Sequence, residues 1–236
     1  MKQNLIVVLT GAGISAESGI KTFRDADGLW ENHDIMEVAS PTGWLKNTNL
    51  VLKFYNDRRR QLFEVAPNAG HIALTELEKN FEVHIITQNI DDLHERAGSK
   101  NIIHLHGELR KSRSTIDDTL IYECLHDINF GDKCAKGSQL RPHIVWFGEN
   151  VPLIYDAVEL ISKADIVIVI GSSMQVYPAA GLVEAAPKNI PVYYIDPKPQ
   201  LNYELKSRKK LHVIAKPATI GVPEVVDEIL NANKQE

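Results

Sequence analysis

Short apolar runs, each followed by a glycine or a polar side chain, recur along the chain. The first run, at residues 5–9, reads Leu-Ile-Val-Val-Leu and leads into a glycine-rich segment. A continuous run of this kind is typical of a strand buried on both faces of a parallel sheet. Comparable runs predict further strands at residues 83–86, 102–105, 144–148, 165–170, 192–197 and 212–215.

Helical patterns separate most of these runs. They predict helices at residues 49–63, from Pro67 onward, and at 92–97, 155–163, 178–186 and 224–232. In the helix after Pro67 we expect an apolar stripe of Ile72, Leu74 and Leu77. Alternating strands and helices predict an α/β fold built on a doubly wound parallel sheet.

Two segments interrupt this alternation and predict a smaller inserted domain. Residues 31–67 contain no strand-like run, and residues 110–140 are polar and irregular. We therefore expect the sheet domain to comprise residues 1–30, 68–109 and 141–236. The small domain would combine a helical module, 31–67, with the irregular segment, 110–140.

Polar side chains follow two of the predicted strands. Asn89 and Asp91 come after the run at 83–86, and His106 comes after the run at 102–105. Ligands of open α/β sheets usually bind at the carboxyl ends of the strands, so these residues are candidate site residues. Two alternatives stay open: Asn89 and Asp91 could cap the next helix, and His104 and His106 could be packing residues or metal ligands rather than a base.

A glycine-rich turn follows the first strand, and a second one follows the run at 165–170. The first reads Thr-Gly-Ala-Gly-Ile-Ser at residues 10–15, and the second is Gly171-Ser172-Ser173. A turn of this kind between a strand and a helix can hold phosphate through backbone N–H groups, or it can simply be tight. Two features disfavour a hydride-transferring dehydrogenase. Ala16 stands at the third glycine position of the dinucleotide-binding pattern Gly-x-Gly-x-x-Gly, and no second strand ends in an acidic residue. The serine pair lacks the sequence of a hydrolase nucleophile turn.

Composition limits the class of protein. The chain has 236 residues, a net charge of −5 and two cysteines, Cys124 and Cys134. This balance predicts no direct nucleic-acid partner and no disulfide scaffold. Residues 1–4 lead directly into a strand, and no apolar run approaches the ~20 residues of a membrane span, so we expect a cytoplasmic protein without a membrane partner.

Tyr55 and Arg58 stand three residues apart in the predicted helix 49–63. Their side chains would project to a common side of the helix. A phenol beside a guanidinium is suited to bind a carboxylate. The alternative is an ordinary solvated basic face, since Arg58 begins a run of three arginines.

Taken together, five sequence blocks resemble the sirtuin family of NAD-dependent protein-lysine deacylases. The blocks occur in the family's order and extend over nearly the whole chain. They are residues 11–15 with 18–20 and 23–24, residues 87–91, His106-Gly107, residues 145–149, and Gly171-Ser172-Ser173. Each block is weak by itself, whereas five in order are specific.

The resemblance implies a Rossmann-like domain that binds NAD as a consumed co-substrate. The residues implied to contact NAD are Gly11, Ala12, Gly13, Ser18, Phe23, Arg24, Gln88, Asn89, Ile90, Asp91, Gly171, Ser172, Ser173, Asp196 and Ala218. Many family members have Asn at the position of Asp196. The backbone of residues Val145, Trp146, Phe147 and Gly148 would pair with the substrate peptide as an added strand.

The implied reaction transfers the acyl group from lysine to ADP-ribose. The acyl oxygen attacks the ribose as nicotinamide leaves, and His106 takes a proton from a ribose hydroxyl. The products are free lysine, nicotinamide and an O-acyl-ADP-ribose, with Asn89 and Asp91 serving the nicotinamide side. The protein partners would be acylated lysine side chains.

Two features distinguish this chain within the family. Tyr55 and Arg58 resemble the Tyr-x-x-Arg pair of sirtuins that remove acidic acyl groups, so we expect succinyl- and malonyl-lysine as substrates besides acetyl-lysine. The family's structural zinc uses two Cys-x-x-Cys pairs, but here Ser114-x-x-Asp117 and Cys134-x-x-Gly137 occupy those places. Neither Cys124 nor His126 has the pairing of a substitute ligand. We therefore expect no structural zinc and no other metal.

Two other functions compete with deacylation. The same pocket could catalyse ADP-ribosyl transfer or NAD hydrolysis, which require Asn89 and Asp91 but no acyl-lysine tunnel. The intact segment 145–149 favours deacylation. A non-catalytic NAD or ADP-ribose binding module is disfavoured because a binder has no need of a base at His106.

Overall fold

A six-stranded parallel sheet forms the centre of the protein in the computed structural model, which describes residues 4–21, 29–30 and 33–234. Its strands are β1 (Leu5–Thr10), β4 (Glu82–Thr87), β5 (Ile102–His104), β9 (Ile166–Ile170), β10 (Val192–Ile195) and β11 (Leu211–Ile214). Their order is β11-β10-β9-β1-β4-β5, and every neighbouring pair is parallel. From β1 the chain adds β4 and then β5 on one side. It then returns to the centre and adds β9, β10 and β11 on the other side. The predicted α/β, Rossmann-like sheet is confirmed, with its topological switch point between β1 and β9.

Alternate residues of the central strands face two separate hydrophobic cores. Val7 and Val169 lie in one core with helices α6 (Ile154–Ile161) and α7 (Leu182–Ala185). Val8 and Ile168 lie in the other core with α4 (Ala69–Leu77) and α9 (Ala218–Asn233). Because both faces are covered, the strands read as continuous apolar runs rather than alternating ones. The remaining helices of this region are α5 (Leu93–Ala97) and α8 (Tyr203–Lys206).

Two details of the helix predictions were wrong. Ile72 is 51% exposed, whereas Leu74 and Leu77 are buried, so the apolar stripe of α4 is narrower than expected. Helix α9 begins at Ala218 instead of residue 224 and continues through Pro223. Proline disfavours a helix interior because it lacks the N–H donor. Here burial of Val222 and Val225 on either side of it stabilises the helix despite that loss.

A second, antiparallel sheet lies beside the parallel one. It has the order β7-β6-β8 and consists of β6 (Gly107–Ser114), β7 (Ile121–Glu123) and β8 (Leu140–Ile144). The run at 144–148 was predicted to rejoin the parallel sheet, and this was wrong. Ile144 ends β8, which pairs with β6, and residues 145–148 form a loop. A continuous apolar run shows that a segment is buried but not which sheet it joins.

Helices α1 (Ile35–Val38), α2 (Pro41–Lys46) and α3 (Thr48–Gln61) pack near this second sheet, and β2 (Leu29–Trp30) pairs with β3 (His33–Asp34). Val51, Phe54 and Leu62, the apolar residues spaced along one face of the predicted helix 49–63, are all buried. They share a third core with Leu109 of β6 and with Trp146 of the following loop. In the described part of the chain, no helix has the length and apolarity required to cross a membrane.

The loops after β1 and β9 cross in direct backbone contact. Gly13 N–H donates to the carbonyl of Gly171 at 2.8 Å. A Cβ at Gly13 would lie 2.5 Å from the Cα of Gly171, and a Cβ at Gly171 would lie 2.4 Å from the nitrogen of Ile14. No side chain fits between the two loops, and Gly171 also has a positive φ of 58°. These glycines are therefore required by the fold itself.

We predict that Gly13→Ala lowers the free energy of unfolding by about 1–3 kcal/mol, because the new methyl group overpacks against backbone that cannot rotate away. Gly181→Ala is the matched control: its Cβ would lie 3.7 Å from the ring of Tyr177, an ordinary contact. The control should change stability by less than about 0.5 kcal/mol. Urea unfolding of both variants measures the difference, and equal stabilities would contradict the crossing as a packing constraint.

Candidate functional site

Four loops meet at the carboxyl edge of the parallel sheet. The loop after β1 contacts the loop after β9, as Gly11 N–H donates to the carbonyl of Ile170 at 3.0 Å. The loop after β4 joins them, because Gln88 N–H donates to the carbonyl of Thr10 at 2.9 Å and Gln88 Nε2 donates to Ser172 Oγ at 3.1 Å. The fourth loop follows β10 and begins with the buried Asp196. The sequence-predicted residues of these loops are thus brought to one edge, at the switch point where ligands bind in such sheets.

Ser15 is the centre of a buried hydrogen-bond network under this edge. Its hydroxyl donates to Asp91 Oδ2 at 3.0 Å and accepts from Asn89 Nδ2 at 3.2 Å. His71 Nε2 lies 3.4 Å from the same oxygen. His71 Nδ1 accepts from the N–H of Asn68, so Nε2 is the protonated nitrogen and donates to Ser15. The one proton and both lone pairs of Ser15 are therefore used.

Asp91 is buried, and burial raises the pKa of its carboxyl to about 6, against the bonds from Leu93 N–H and Ser15 that lower it. Its Oδ1 accepts from the N–H of Leu93, the first residue of α5, although the N-cap position of this helix is Asp92. Asn89 differs: its side chain donates to Ser15. Asp91 thus bonds the start of α5 through one oxygen and Ser15 through the other, whereas Asn89 bonds only within the site.

A second network lies behind the first and involves residues that the sequence analysis did not single out. Thr10 Oγ1 donates to Thr87 Oγ1 at 2.8 Å, and Thr87 Oγ1 also accepts from Asn89 N–H at 3.0 Å. His94 Nε2 lies 3.0 Å from Thr10 Oγ1. Burial lowers the pKa of His71 to about 4 and that of His94 well below its usual value, so both imidazoles are neutral. The only sequence signal was a threonine at the end of each of two neighbouring buried strands.

His106 has the geometry of a proton acceptor. Its Nδ1 lies 3.1 Å from the carbonyl oxygen of Gln88. Because a carbonyl can only accept, Nδ1 carries the proton and Nε2 of the neutral ring keeps its lone pair. Burial lowers the pKa of His106, opposed by the bond to Gln88, so the ring is neutral at pH 7. Neutral imidazole with an unprotonated Nε2 is the form that a general base requires.

His104 has a different environment and is more than a packing residue. Its Nδ1 lies 3.1 Å from the carbonyl of Asn89, and its Nε2 lies 2.7 Å from Glu95 Oε1. Although burial opposes protonation, the bond and charge of Glu95 raise the pKa of His104. The pair therefore anchors the backbone of Asn89.

Three candidate metal ligands lie close to one another. Within the described ranges, one group of at least three candidate side chains brings its ligand atoms within 4.8 Å of one another: Glu95, His104 and Glu108. These side chains already have partners, since Lys111 Nζ bonds Glu108 at 2.7 Å and His104 bonds Glu95. Neither His106 nor a cysteine belongs to the group.

The remaining predicted NAD contacts surround the same edge, except for two. Phe23 and Arg24 lie outside the described residues. Ser18 Oγ accepts from Asn68 Nδ2 at 3.0 Å, and the half-buried Ile90 and Ser173 lie in the loops after β4 and β9. Asp196 Oδ1 accepts from Lys198 N–H at 2.8 Å, and the buried Ala218 is the first residue of α9.

The predicted substrate residues lie beside the third core. Tyr55 is fully buried, and its hydroxyl accepts from Trp146 Nε1 at 3.0 Å. The guanidinium of Arg58, one turn along α3, lies 4.6 Å from the centre of the Phe54 ring. Trp30 covers Tyr55 edge-on, with 6.0 Å between ring centres.

The loop of residues 145–148 has already used most of its backbone donors. Val145 N–H donates to the carbonyl of His106, and Phe147 N–H donates to the carbonyl of Ala39, each at 2.9 Å. Trp146 N–H donates to Glu149 Oε2 at 2.8 Å. A peptide added as a strand would therefore pair with carbonyl groups of this loop and with the N–H of Gly148.

The two turns at the family's zinc position are joined by other contacts. Ser138 Oγ lies 3.1 Å from Ser114 Oγ and 3.4 Å from Cys134 Sγ. Bonds from Ser114 and Ser138 lower the pKa of the Cys134 thiol to about 7. Lys136 Nζ lies 2.7 Å from Asp117 Oδ2 and, with Thr119, lowers the pKa of Asp117 to about 2. The other cysteine, Cys124, donates to the carbonyl of His126 at 3.3 Å.

Comparison with known proteins agrees with this geometry. The sequence profile of the Sir2 family matches residues 11–178. An NAD-dependent protein deacylase of Helicobacter pylori (strain ATCC 700392 / 26695) is 65% identical over 193 residues, which cover 82% of this chain and 84% of that protein. An NAD-dependent protein deacylase of Bacteroides thetaiotaomicron is 52% identical over 233 residues, covering 96% and 98%.

Solved structures agree as well. A Sir2 homologue in complex with ADP-ribose superposes with a TM-score of 0.88 at 37% identity, covering 99% of this chain and 95% of that one. A Sir2 homologue in complex with NAD gives 0.85 at 39% identity, covering 98% and 91%. A Sir2 complex with a deacetylated peptide and 3′-O-acetyl-ADP-ribose gives 0.76 at 29% identity, covering 96% and 94%. The resemblance inferred from the sequence motifs is confirmed, and the chain belongs to the Sir2 family.

Proposed function

We propose that this chain is an NAD-dependent protein-lysine deacylase that transfers the acyl group to ADP-ribose. The observation that carries the proposal is the pairing of a neutral His106, whose Nε2 keeps its lone pair, with the Ser15–Asn89–Asp91 network at the same sheet edge. Relatives that are 52% and 65% identical are named NAD-dependent protein deacylases. Acylated lysine side chains of proteins are the substrates.

The sheet edge fits NAD by the chemistry of its donors. The N–H groups of Gly11 and Gly13 are used inside the fold, so Ala12 N–H is the backbone donor that we assign to the pyrophosphate. Ser173 and the Asp196 carboxylate supply polar contacts for phosphate and ribose hydroxyls. Gln88, Asn89, Ile90 and Asp91 would line the pocket for the nicotinamide end.

When bound, NAD supplies the ADP-ribosyl group that accepts the acyl chain. The protein's part is to hold groups and to move a proton. His106 Nε2 accepts a proton from a ribose hydroxyl, while its Nδ1–H remains on the carbonyl of Gln88 and keeps the ring oriented. Asp91, held by Ser15 and Leu93, offers negative charge beside the nicotinamide end, and Asn89 offers its amide oxygen there.

Nicotinamide release from NAD should depend on an acylated peptide. We predict that His106→Ala lowers kcat/KM for peptide deacylation by about 10²–10⁴-fold, the usual contribution of a general base. His84→Ala is the control, because its ring lies in β4 beside Glu82, away from the carboxyl ends of the strands. Liquid chromatography of nicotinamide, with and without acetyl-lysine peptide, gives both rates.

Each outcome of that assay favours a different class of function. Peptide-dependent release supports the deacylase, and release without peptide would support an NAD hydrolase or an ADP-ribosyltransferase instead. No release with NAD binding intact would indicate a binding module. The loop of residues 145–148 favours the first outcome, because an enzyme that acts on NAD alone has no peptide for this loop to bind.

We further propose that the enzyme removes acidic acyl groups. The indole N–H of Trp146 donates to the Tyr55 oxygen, so the Tyr55 proton is available for another acceptor. Burial raises the pKa of Tyr55, which keeps it protonated at neutral pH. Arg58 on the same helix supplies a positive charge near it. A succinyl or malonyl carboxylate would complement both groups.

Arg58→Met should therefore lower kcat/KM on a succinyl-lysine peptide by at least about tenfold, the effect of losing one charged hydrogen bond. Activity on the matched acetyl peptide should change by less than about twofold, since an acetyl group has no carboxylate to bind. Arg60→Met serves as control, because Arg60 is exposed and pairs with Asp57 and Asp127. Equal losses on both peptides would contradict the assignment.

We also propose that no structural zinc is required. The hydroxyl of Ser138 joins the turns of Ser114 and Cys134, and the Lys136–Asp117 pair joins them again, which replaces the cross-link that four thiolates would make. We predict less than about 0.1 zinc per chain by elemental analysis, and an unchanged melting temperature in EDTA. One zinc per chain would contradict the proposal.

A further inference from the structure

A chain of contacts connects Glu149, the residue after the loop of residues 145–148, to the phenol of Tyr55. Glu149 Oε2 accepts from the backbone N–H of Trp146 at 2.8 Å. The same carboxylate binds Arg141 through two bonds, of 2.6 Å and 3.1 Å, and Arg113 through a third, of 3.2 Å. Although burial acts against it, the bonds from Arg141 and Trp146 hold the pKa of Glu149 below its usual value. Glu149 is therefore a charged anchor.

Arg141 connects the Glu149 carboxylate to the indole ring of Trp146. Its guanidinium lies 3.2 Å from the centre of the Trp146 ring, and its Nη2 also donates to the carbonyl of Ile144 at 2.9 Å. A guanidinium over an indole face is a favourable cation–π contact. Trp146 is thus held at two points by one carboxylate: directly at its backbone, and through Arg141 at its ring.

Trp146 in turn determines where the Tyr55 proton can point. The indole nitrogen is only a donor, so at 3.0 Å the phenol oxygen must accept. One of the directions around that oxygen is thereby occupied, and the O–H must point elsewhere. A shift of the indole by an ångström would free this direction and let the hydroxyl rotate.

We propose that Glu149 is a positioning residue for acyl specificity, acting through Arg141 and Trp146 to orient the Tyr55 hydroxyl toward the carboxylate of an acidic acyl group. The inference rests on the acidic-acyl part of the proposed function. Glu149 does not contact the acyl group itself. Its removal should therefore matter only while Tyr55 has a hydroxyl to orient and the substrate has a carboxylate to receive it.

A double-mutant cycle tests this dependence. The four proteins are the wild type, Glu149→Gln, Tyr55→Phe and the double variant, each assayed for kcat and KM on matched succinyl and acetyl peptides. We expect Glu149→Gln to lower kcat/KM on the succinyl peptide by about tenfold, mainly through KM, and to change the acetyl value by less than about twofold. The double variant should equal Tyr55→Phe alone, because both changes remove one interaction.

Controls separate orientation from general damage. Glu224→Gln removes a carboxylate that pairs with Lys216 on the surface of α9 and should leave both rates unchanged. Should Glu149→Gln fail to fold, Arg141→Lys replaces it, since lysine keeps the charge but loses the two-bond contact and the flat stacking face. Melting temperatures of all variants are measured alongside.

Two results would overturn the inference. Losses that add in the double variant would show that Glu149 acts independently of the Tyr55 hydroxyl. Equal losses on acetyl and succinyl peptides would show a structural role only. A wild-type enzyme that deacylates the acetyl peptide but not the succinyl peptide is a different result: it overturns the acidic-acyl proposal itself, and the role of Glu149 with it.

Discussion

The backbone contact between Gly13 and Gly171 is the constraint on which the site depends. Because no Cβ fits between the two loops, the chain leaving β1 must pass directly over the end of β9. That path places Ser15 beneath the end of β4, where its hydroxyl binds both Asn89 and Asp91. The glycines that resemble a phosphate-binding sequence are thus required first because they let the two loops approach each other without a side chain between them. Their N–H groups are used by the fold, which leaves Ala12 N–H and the neighbouring polar side chains for the ligand that we propose.

Three separate cores support the two halves of the site. The apolar faces of the parallel sheet hold the loops that we assign to NAD, while the third core holds Tyr55 and Trp146 on the substrate side. The halves meet at His106, whose carbonyl accepts the N–H of Val145. The residue that we propose as the base is therefore linked through its backbone to the loop that we assign to the peptide, and through its ring to Gln88.

The sequence predicted the parallel sheet and its edge well, because strands buried on both faces leave continuous apolar runs. It did not predict the antiparallel sheet. Strand β6 reads Gly-Glu-Leu-Arg-Lys-Ser-Arg-Ser, which has no apolar period, because its buried positions include Ser112, Ser114 and Arg113, which is paired with Glu149. The network around Ser15 was also missed: Ser15, His71 and His94 lie far apart along the chain and meet only in the fold. Pattern analysis finds surfaces that exclude water more readily than it finds hydrogen bonds between distant residues.

The position of His106 between two sheets has a mechanical consequence. Strand β5 ends at His104, Leu105 is buried in a core of the parallel sheet, and β6 of the antiparallel sheet begins at Gly107. A Cβ at Gly107 would lie 2.0 Å from the carbonyl oxygen of His143, so β8 of the second sheet contacts the chain directly after His106. His106 thus lies in the short covalent link, residues 105–106, between the parallel and the antiparallel sheet. Any change in the angle between the two sheets would therefore act on the backbone of this two-residue link, and with it on the direction of the imidazole.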